Sequence, residues 1–342
     1  MGSVNHNIGI DLGTTSIIIY IEGKGIVLNE PSVVAVDTET GKVLAVGEEA
    51  SRMVGRTPAH IKAIYPLREG IISDYNLTKE LIRRFLLKVY SSVIIKPRVA
   101  VCVPSEITGI ENDAVIEAVS SVGARKIYLV EEPIAAALGC GLDLMQPAGR
   151  MVIDLGGGTT DVAVISLGGQ VRHASVTVAG NAIDEAMTHH LLRNYNITLG
   201  KKSIEMLKKE IADCMASPLR NITGEVRGRS LVTGLPQRLQ LTSMDLLEPI
   251  RTCAEQIAAC AHSVLESTPP ELAGDICSEG ILITGGCSQL RGLDDYLSKR
   301  LKLKVRIAED PINCVAIGTG RALEMAGVLQ TGFRDATPGL RG

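Results

Sequence analysis

The sequence predicts an α/β fold assembled from two similar halves, and three observations carry that expectation. The segment Ile8-Gly-Ile-Asp-Leu-Gly-Thr-Thr-Ser-Ile-Ile-Ile-Tyr20 returns as Val152-Ile-Asp-Leu-Gly-Gly-Gly-Thr-Thr-Asp-Val-Ala-Val-Ile165, each copy reading as strand, tight turn, strand. Apolar strand-like runs alternate with stretches of helical periodicity along much of the chain, the pattern of α/β architecture. The 342 residues are roughly two domain lengths, and the leading aspartates of the echo, Asp11 and Asp154, lie one such length apart.

The elements follow in order. Pro31-Ser-Val-Val-Ala-Val36 and Val43-Leu-Ala-Val46 flank a polar, Gly-bearing Thr38-Glu-Thr-Gly-Lys42, which predicts a small hairpin. Thr78 starts a helix whose Leu81, Ile82, Phe85, Leu86 and Val89 recur at helical spacing. Strand Val99-Ala-Val-Cys-Val103, a helix over 111–121 and strand Lys126-Ile-Tyr-Leu-Val130 come next. The second half predicts helices over 181–194, 203–216 and 244–265, strand Gly280-Ile-Leu-Ile-Thr284 and a helix over 288–301. No low-complexity linker separates the halves.

Composition narrows the function. Hydrophobic residues make up 45% and charged residues 21%, which suits a folded globular chain. Aromatics are 3% with no Trp, so base-stacking platforms have little to be built from; 38 acids against 35 bases, without a basic run, argue against duplex DNA. Nucleic acid is therefore not an expected ligand. The eight cysteines are scattered among aliphatic residues without CxxC, and His189-His190 point to different helix faces, so reduced thiols and no zinc centre are expected. The opening MGSVNHN has neither an apolar targeting core nor a myristoylation pattern, and no run approaches membrane-spanning length. These features point to a cytosolic chain.

A carboxylate ending an apolar strand before a Gly/Thr turn has a chemical use. Small residues let backbone N–H groups approach an anion, and Thr hydroxyls add donors. Two such turns can clasp a polyphosphate, with Asp11 and Asp154 holding a divalent cation, best Mg2+ through its waters. The standard P-loop is missing, and Gly139-Cys-Gly141 lacks the third glycine of a dinucleotide fingerprint.

The two turns, with Ile283-Thr-Gly-Gly286 near the end, resemble the actin, Hsp70 and sugar-kinase superfamily, which shares a ribonuclease H-like duplicated fold. Leu28-Asn-Glu-Pro-Ser-Val-Val34, Val54-Gly-Arg-Thr-Pro58, Val130-Glu-Glu-Pro133, Val162-Ala-Val-Ile-Ser-Leu167 and Pro269-Pro-Glu-Leu272 narrow the resemblance to the bacterial actins MreB and Mbl, over roughly 8 to 327. That resemblance implies ATP with Mg2+ in a central cleft, slow hydrolysis, filaments of the chain itself, and a role with cell-wall synthesis and morphogenesis proteins in rod shape. It also implies four subdomains: IA from 1–31, 73–144 and 318–342; IB from 32–72; IIA from 145–180 and 244–317; IIB from 181–243. A sugar or acetate kinase would need a second polar pocket for its acceptor, and an Hsp70-type chaperone a further peptide-binding domain.

Carried over by position, the resemblance gives phosphate contacts to Gly13, Thr14, Thr15 and Ser16 and to Gly156, Gly157, Gly158 and Thr159. Glu132, the second Glu of the Glu-Glu-Pro motif, becomes the residue that orients the attacking water. Asp161, one methylene shorter than the Glu of many MreB sequences, is a second catalytic candidate. Glu205 and Lys208 match the adenosine-side pair, whose alternative reading is an exposed i, i+3 ion pair. Gly285, Gly286, Cys287 and Ser288 close the base pocket, Cys287 standing where many relatives have Gly. The resemblance also implies a filament lying at the inner face of the cell membrane. Val93-Ile94-Ile95, beside Lys96 and Arg98, offers an apolar tip for an anionic lipid surface, Ile94 and Ile95 above all.

Overall fold

The computed structural model describes residues 7–90, 96–105, 107–329 and 331–339. Two compact units emerge from the packing: one of 1–148, 165–171 and 312–342, the other of 149–164 and 172–311.

The first unit opens with β1 (Asn7–Leu12) and β2 (Ser16–Ile21), an antiparallel hairpin pairing Asp11 with Ile18, and continues into β3 (Gly25–Pro31). The predicted strand 31–36 is broken. Pro31 ends β3, and its carbonyl accepts the Val33 N–H, so β4 (Val34–Asp37) begins a separate small sheet with β5 (Val43–Val46). Asp37 holds that hairpin's turn by accepting both the Glu39 and Thr40 N–H groups at 2.9 Å. Helix α1 (Glu48–Met53), β6 (Ile61–Ile64), β7 (Leu67–Arg68) and β8 (Ile71–Ile72) follow. Helix α2 (Tyr75–Val89) starts three residues before Thr78 because Asp74 is a better start signal, its carboxylate accepting the Leu77 N–H at 3.0 Å. Strand β9 (Arg98–Val103), helix α3 (Gly109–Ser121), strand β10 (Lys126–Glu131) and helix α4 (Glu132–Gly139) complete the stretch. Thr108 and Glu111 form a reciprocal capping box at the start of α3.

The second unit repeats the opening with β11 (Arg150–Leu155), β12 (Thr160–Ser166) and β13 (Gly169–Val176), then α5 (Gly180–Tyr195) and β14 (Ile197–Thr198). Helix α6 (Lys201–Ile211) stops five residues short of the predicted end. Ala212 turns extended there, and the buried Asp213 carboxylate accepts from Met215 N–H and Arg220 instead of continuing the helix. A hairpin of β15 (Thr223–Ser230) and β16 (Pro236–Thr242) follows, then α7 (Leu247–Ser267), α8 (Pro270–Glu279) and β17 (Ile281–Thr284). The predicted helix 288–301 is two pieces, a 3₁₀ turn over Gly286–Gln289 and α9 (Leu293–Leu301). Gly292 separates them at φ 69°, and a Cβ there would lie 2.8 Å from Asp213 Oδ1. After β18 (Val305–Ile307), helix α10 (Cys314–Ala322) and strand β19 (Phe333–Asp335) return to the first unit.

The duplication is visible in the sheets. The six-stranded sheet runs β19-β10-β9-β1-β2-β3 and the five-stranded sheet β13-β12-β11-β17-β18. Apart from β19 the order is the same, with each echoed hairpin beside two parallel strands: β1 with β9 and β10, β11 with β17 and β18. Strands flanked on both faces by helices need continuous apolar runs, and Ile8, Ile10, Val99 and Val101 are fully buried, as are Ile153, Ile281 and Ile283.

Candidate nucleotide site

In both units the functional candidates gather at the carboxyl ends of parallel strands, where α/β sheets present loops to ligands. In the first unit Asp11 lies opposite Cys102, and Val103 opposite Glu131, so Asp11 and the Glu131-Glu132 step leave the sheet at one end. In the second, Asp154 lies opposite Thr284; Thr284 runs directly into Gly285, and Asp154 reaches Gly156 after Leu155, the last residue of β11.

The first turn is tight because Gly13 has no side chain: a Cβ would stand 2.6 Å from the Ser16 carbonyl. Ser32 Oγ donates to the Gly13 carbonyl at 2.6 Å, and the Ser32 N–H to the Thr15 carbonyl at 3.0 Å. Thr14 Oγ1 accepts the Gly70 N–H, whereas Thr15 is exposed and Ser16 starts β2. Asp11, half-buried at the strand end, has its carboxyl pushed up to about 7 by loss of water. A group so placed favours a cation beside it.

The second turn is braced from behind. Gly156 N–H donates to the Thr159 carbonyl, while Gly180 and Asn181, opening α5, donate to the carbonyls of Gly156 and Gly157 at 3.2 and 2.8 Å. Gly158 is buried; Gly156, Gly157 and Thr159 are half-exposed, and Asp154 is 8% exposed. Gly285 closes the neighbouring strand at φ 82°, where a Cβ would stand 2.6 Å from Asp154 Oδ1 and overlap the Leu155 carbonyl. Only glycine fits both the backbone and the space.

Lys208 and Glu205 do not form the i, i+3 pair. Lys208 Nζ donates to the Gly180 carbonyl and pairs with Asp184, each at 2.9 Å, while Glu205 pairs with Lys209 at 2.6 Å. Lys208 thus buttresses the helix that braces the second turn. Burial holds the Asp184 carboxyl above its ordinary range against the pull of Lys208. Gly286 is open to solvent, whereas Cys287 is half-buried, its thiol pushed up to about 11 by burial and felt by Lys208 and Asp184. Ser288 is fully buried and its hydroxyl donates back to the Gly285 carbonyl at 2.7 Å, which holds the shape of that loop.

Glu132 is the first residue of α4 and half-buried at the end of β10. Asp161 differs. It is 4% exposed on β12, with His173 Nε2 3.6 Å from Oδ1 and its charge acting on the Cys260 thiol of α7. Ile94 and Ile95 lie outside the described residues; of their basic neighbours, Lys96 is exposed, but Arg98 is tied to Asn7 Oδ1 at 2.8 Å. Among the described residues no helix is long and apolar enough to cross a membrane.

Sequence reasoning missed Ser32, Gly180 and Asp184. The first is a hydroxyl placed just after a strand-ending Pro, the others the Gly-Asn-x-x-Asp that opens the helix after the second turn.

Comparison with known proteins finds relatives over nearly the whole chain. The model of the MreB/Mbl protein family covers residues 5–331. The cell shape-determining protein Mbl of Bacillus subtilis is 46% identical over 319 residues, 93% of this chain and 96% of that protein. Cell shape-determining protein MreB of Escherichia coli is 43% identical over 331 residues, 95% of each. MreB5 of Spiroplasma citri bound to AMPPNP superposes with a TM-score of 0.89 at 34% identity, over 95% of this chain and 98% of that one; its ADP-bound form gives 0.88. The MamK double helical filament, at 22% identity and a TM-score of 0.77 over 93% and 98%, shares the actin-like fold.

The Asp11 carboxyl sets a pH dependence. Its folded-state pKa near 7 exceeds the ordinary 3.8, so between those values the folded chain keeps a proton that the unfolded chain has lost. Stability therefore falls as pH rises through that window. Without nucleotide or divalent cation, Asp11→Asn is expected to melt above the unmodified protein at pH 8, with the gap closing towards pH 4. Equal melting temperatures across the range would show that Asp11 carries no such burden.

Proposed function

Since the chain belongs to the MreB/Mbl family, we propose that it is a cytoplasmic bacterial actin that binds ATP with Mg2+, slowly hydrolyses it, and polymerises into membrane-associated filaments that organise cell-wall synthesis and rod shape. The observation that carries the reading is the twice-built arrangement of a carboxylate and a small-residue turn at the end of a parallel strand. The AMPPNP and ADP held by the Spiroplasma relatives support the choice of nucleotide.

In this reading the backbone N–H groups and hydroxyls of Gly13 to Ser16 and Gly156 to Thr159 receive phosphate oxygens. Asp11 and Asp154 would hold Mg2+ through its waters, the mode that suits an ion reluctant to dehydrate. The donor chemistry fits: a carboxyl raised by desolvation is relieved by a neighbouring cation. Bound Mg2+ would neutralise charge on the phosphates. Gly285, Gly286 and Cys287 border the base, with Glu205 on the adenosine side and Lys208 bracing the loop. Glu132 orients the attacking water, with Asp161, beside His173, the second candidate for that role. Subdomains IA, IB, IIA and IIB follow the boundaries expected from the family.

Negative-stain microscopy with Mg-ATP tests the whole reading: filaments are expected, and a chain that binds ATP but stays monomeric at all concentrations refutes it. Three sharper outcomes follow from the residues. Asp154→Ala is expected to abolish Mg-dependent ATP binding in calorimetry while circular dichroism stays unchanged; retained affinity would remove the carboxylate from the site. Glu132→Ala is expected to bind ATP normally and release phosphate ~100-fold to 10,000-fold more slowly, so that filaments persist; phosphate release at the unmodified rate would reduce Glu132 to a helix-end carboxylate. Ile94→Ser with Ile95→Ser is expected to polymerise yet lose co-sedimentation with anionic liposomes, since two or three buried Ile or Val anchors, each worth about 1.5 to 3 kcal/mol, hold a monomer weakly and a filament well. Undiminished co-sedimentation would rule this segment out.

A further inference from the structure

We propose that Cys140 and Cys314 form a redox modification site at which a hydroperoxide converts two thiols into an intramolecular disulfide, stapling the end of α4 to the start of α10. The two Sγ atoms lie 3.5 Å apart although 174 residues separate them in the chain. Cys140 is the residue that ends α4, and Cys314 is the first residue of α10.

The backbone brings them together. Gly139 packs so closely on Cys314 that a Cβ would overlap the Cys314 carbonyl, and Gly318, one turn further along α10, meets the Ala135 carbonyl of α4 in the same way. Neither helix has room to slide. Cys140 is held by its own N–H, which donates to the Ala136 carbonyl at 3.0 Å, and Arg321 of α10 reaches back to the Leu138 carbonyl at 2.9 Å. A disulfide needs the sulfurs at about 2.05 Å. The remaining closure is a side-chain rotation across two helix ends that are already in contact.

Exposure assigns the order of events. Cys140 is half-buried and reachable, whereas Cys314 is 3% exposed. Cys140 attacks the hydroperoxide as its thiolate: an S–O bond forms, the O–O bond breaks, and the alkoxide takes up the proton that the Cys140 thiol gave up and leaves as an alcohol, or as water when the oxidant is hydrogen peroxide. Cys314 sulfur then attacks the resulting sulfenic acid. The S–S bond forms, the S–O bond breaks, and the hydroxyl leaves as water with the Cys314 proton. Two thiols have lost two protons and two electrons, and one hydroperoxide has taken them up as an alcohol and water.

The bridge clamps the helix that begins with Glu132 to the helix that packs on β1. It closes a long loop, so it restricts the unfolded chain more than the folded one. The two thiols act independently of the nucleotide site.

The test treats the full chain with graded hydrogen peroxide, alkylates the remaining thiols, and combines intact mass with peptide mapping and thermal unfolding. Before alkylation the expected product is lighter by about 2 Da; it carries a single linked pair of Cys140 and Cys314, melts at a higher temperature and reverts with dithiothreitol. Exposed Cys277 reports general oxidant reactivity in the same sample. Cys140→Ala, a small change at a partly exposed helix end, and Cys314→Ala should each remove the link and the thermal shift. A link among Cys214, Cys253 and Cys287, oxidation of Cys140 to a sulfinic acid with Cys314 still alkylatable, or no mass loss while Cys277 oxidises would each overturn the proposal.

Discussion

The first unit depends on backbone lying directly on backbone. Helix α10 sits against β1 where Gly9 meets Gly320, and against α4 where Gly318 meets Ala135 and Gly139 meets Cys314; at each point a Cβ would overlap main-chain atoms. With no side chains between them, strand and helices are set by hard contact, and a misplacement of one is passed undiminished to the others. Asp11 is the penultimate residue of β1 and Glu132 begins α4, so the two carboxylates that the proposed chemistry needs from this unit are positioned by the same contact. In the second unit Gly285 has the corresponding task, fixing how closely β17 can end beside Asp154.

Most of this plan was legible in the chain. The echoed hairpins were visible because both ends of each are chemically demanding: a buried strand must be apolar throughout, and the turn must be small. The strand order shared by the two sheets is the structural form of that echo. Helix interiors were equally legible from their periodicity. Their ends were less so, since Asp74, Asp213 and Gly292 act through local hydrogen bonds or a left-handed backbone that periodicity does not register. The β15–β16 hairpin escaped notice for a related reason: β15 exposes Thr223, Glu225, Arg227 and Arg229 and buries only Val226 and Ser230, too sparse an apolar alternation to read as a strand.

Site residues divide along the same line. Groups that act through backbone or through a strand end, such as Gly13, Asp11, Gly156 and Asp154, were identifiable because their type is dictated by geometry. Groups that act through a distant partner were not. Nothing in the spacing of Glu205 and Lys208 shows that the lysine prefers Asp184 and the Gly180 carbonyl of another helix. Nor does the Thr-Thr-Asp run show that Asp161 faces His173 inside the unit, because neighbouring strand residues point to opposite faces.

The grip of Lys208 on Gly180 has a mechanical meaning. The second turn holds Gly180 by its N–H, Lys208 holds it by its carbonyl, and Lys208 belongs to α6, whose Ile211 fills the space above Gly224 of β15. A continuous run of bonded and packed groups therefore leads from the second turn to the base of a hairpin whose far end exposes Leu231, Val232 and Leu235. Few joints would separate a push at that apolar tip from the second turn, and a shift in the turn would have the same short path outward. Such coupling is reciprocal by necessity, so the hairpin is built as a lever as well as a surface.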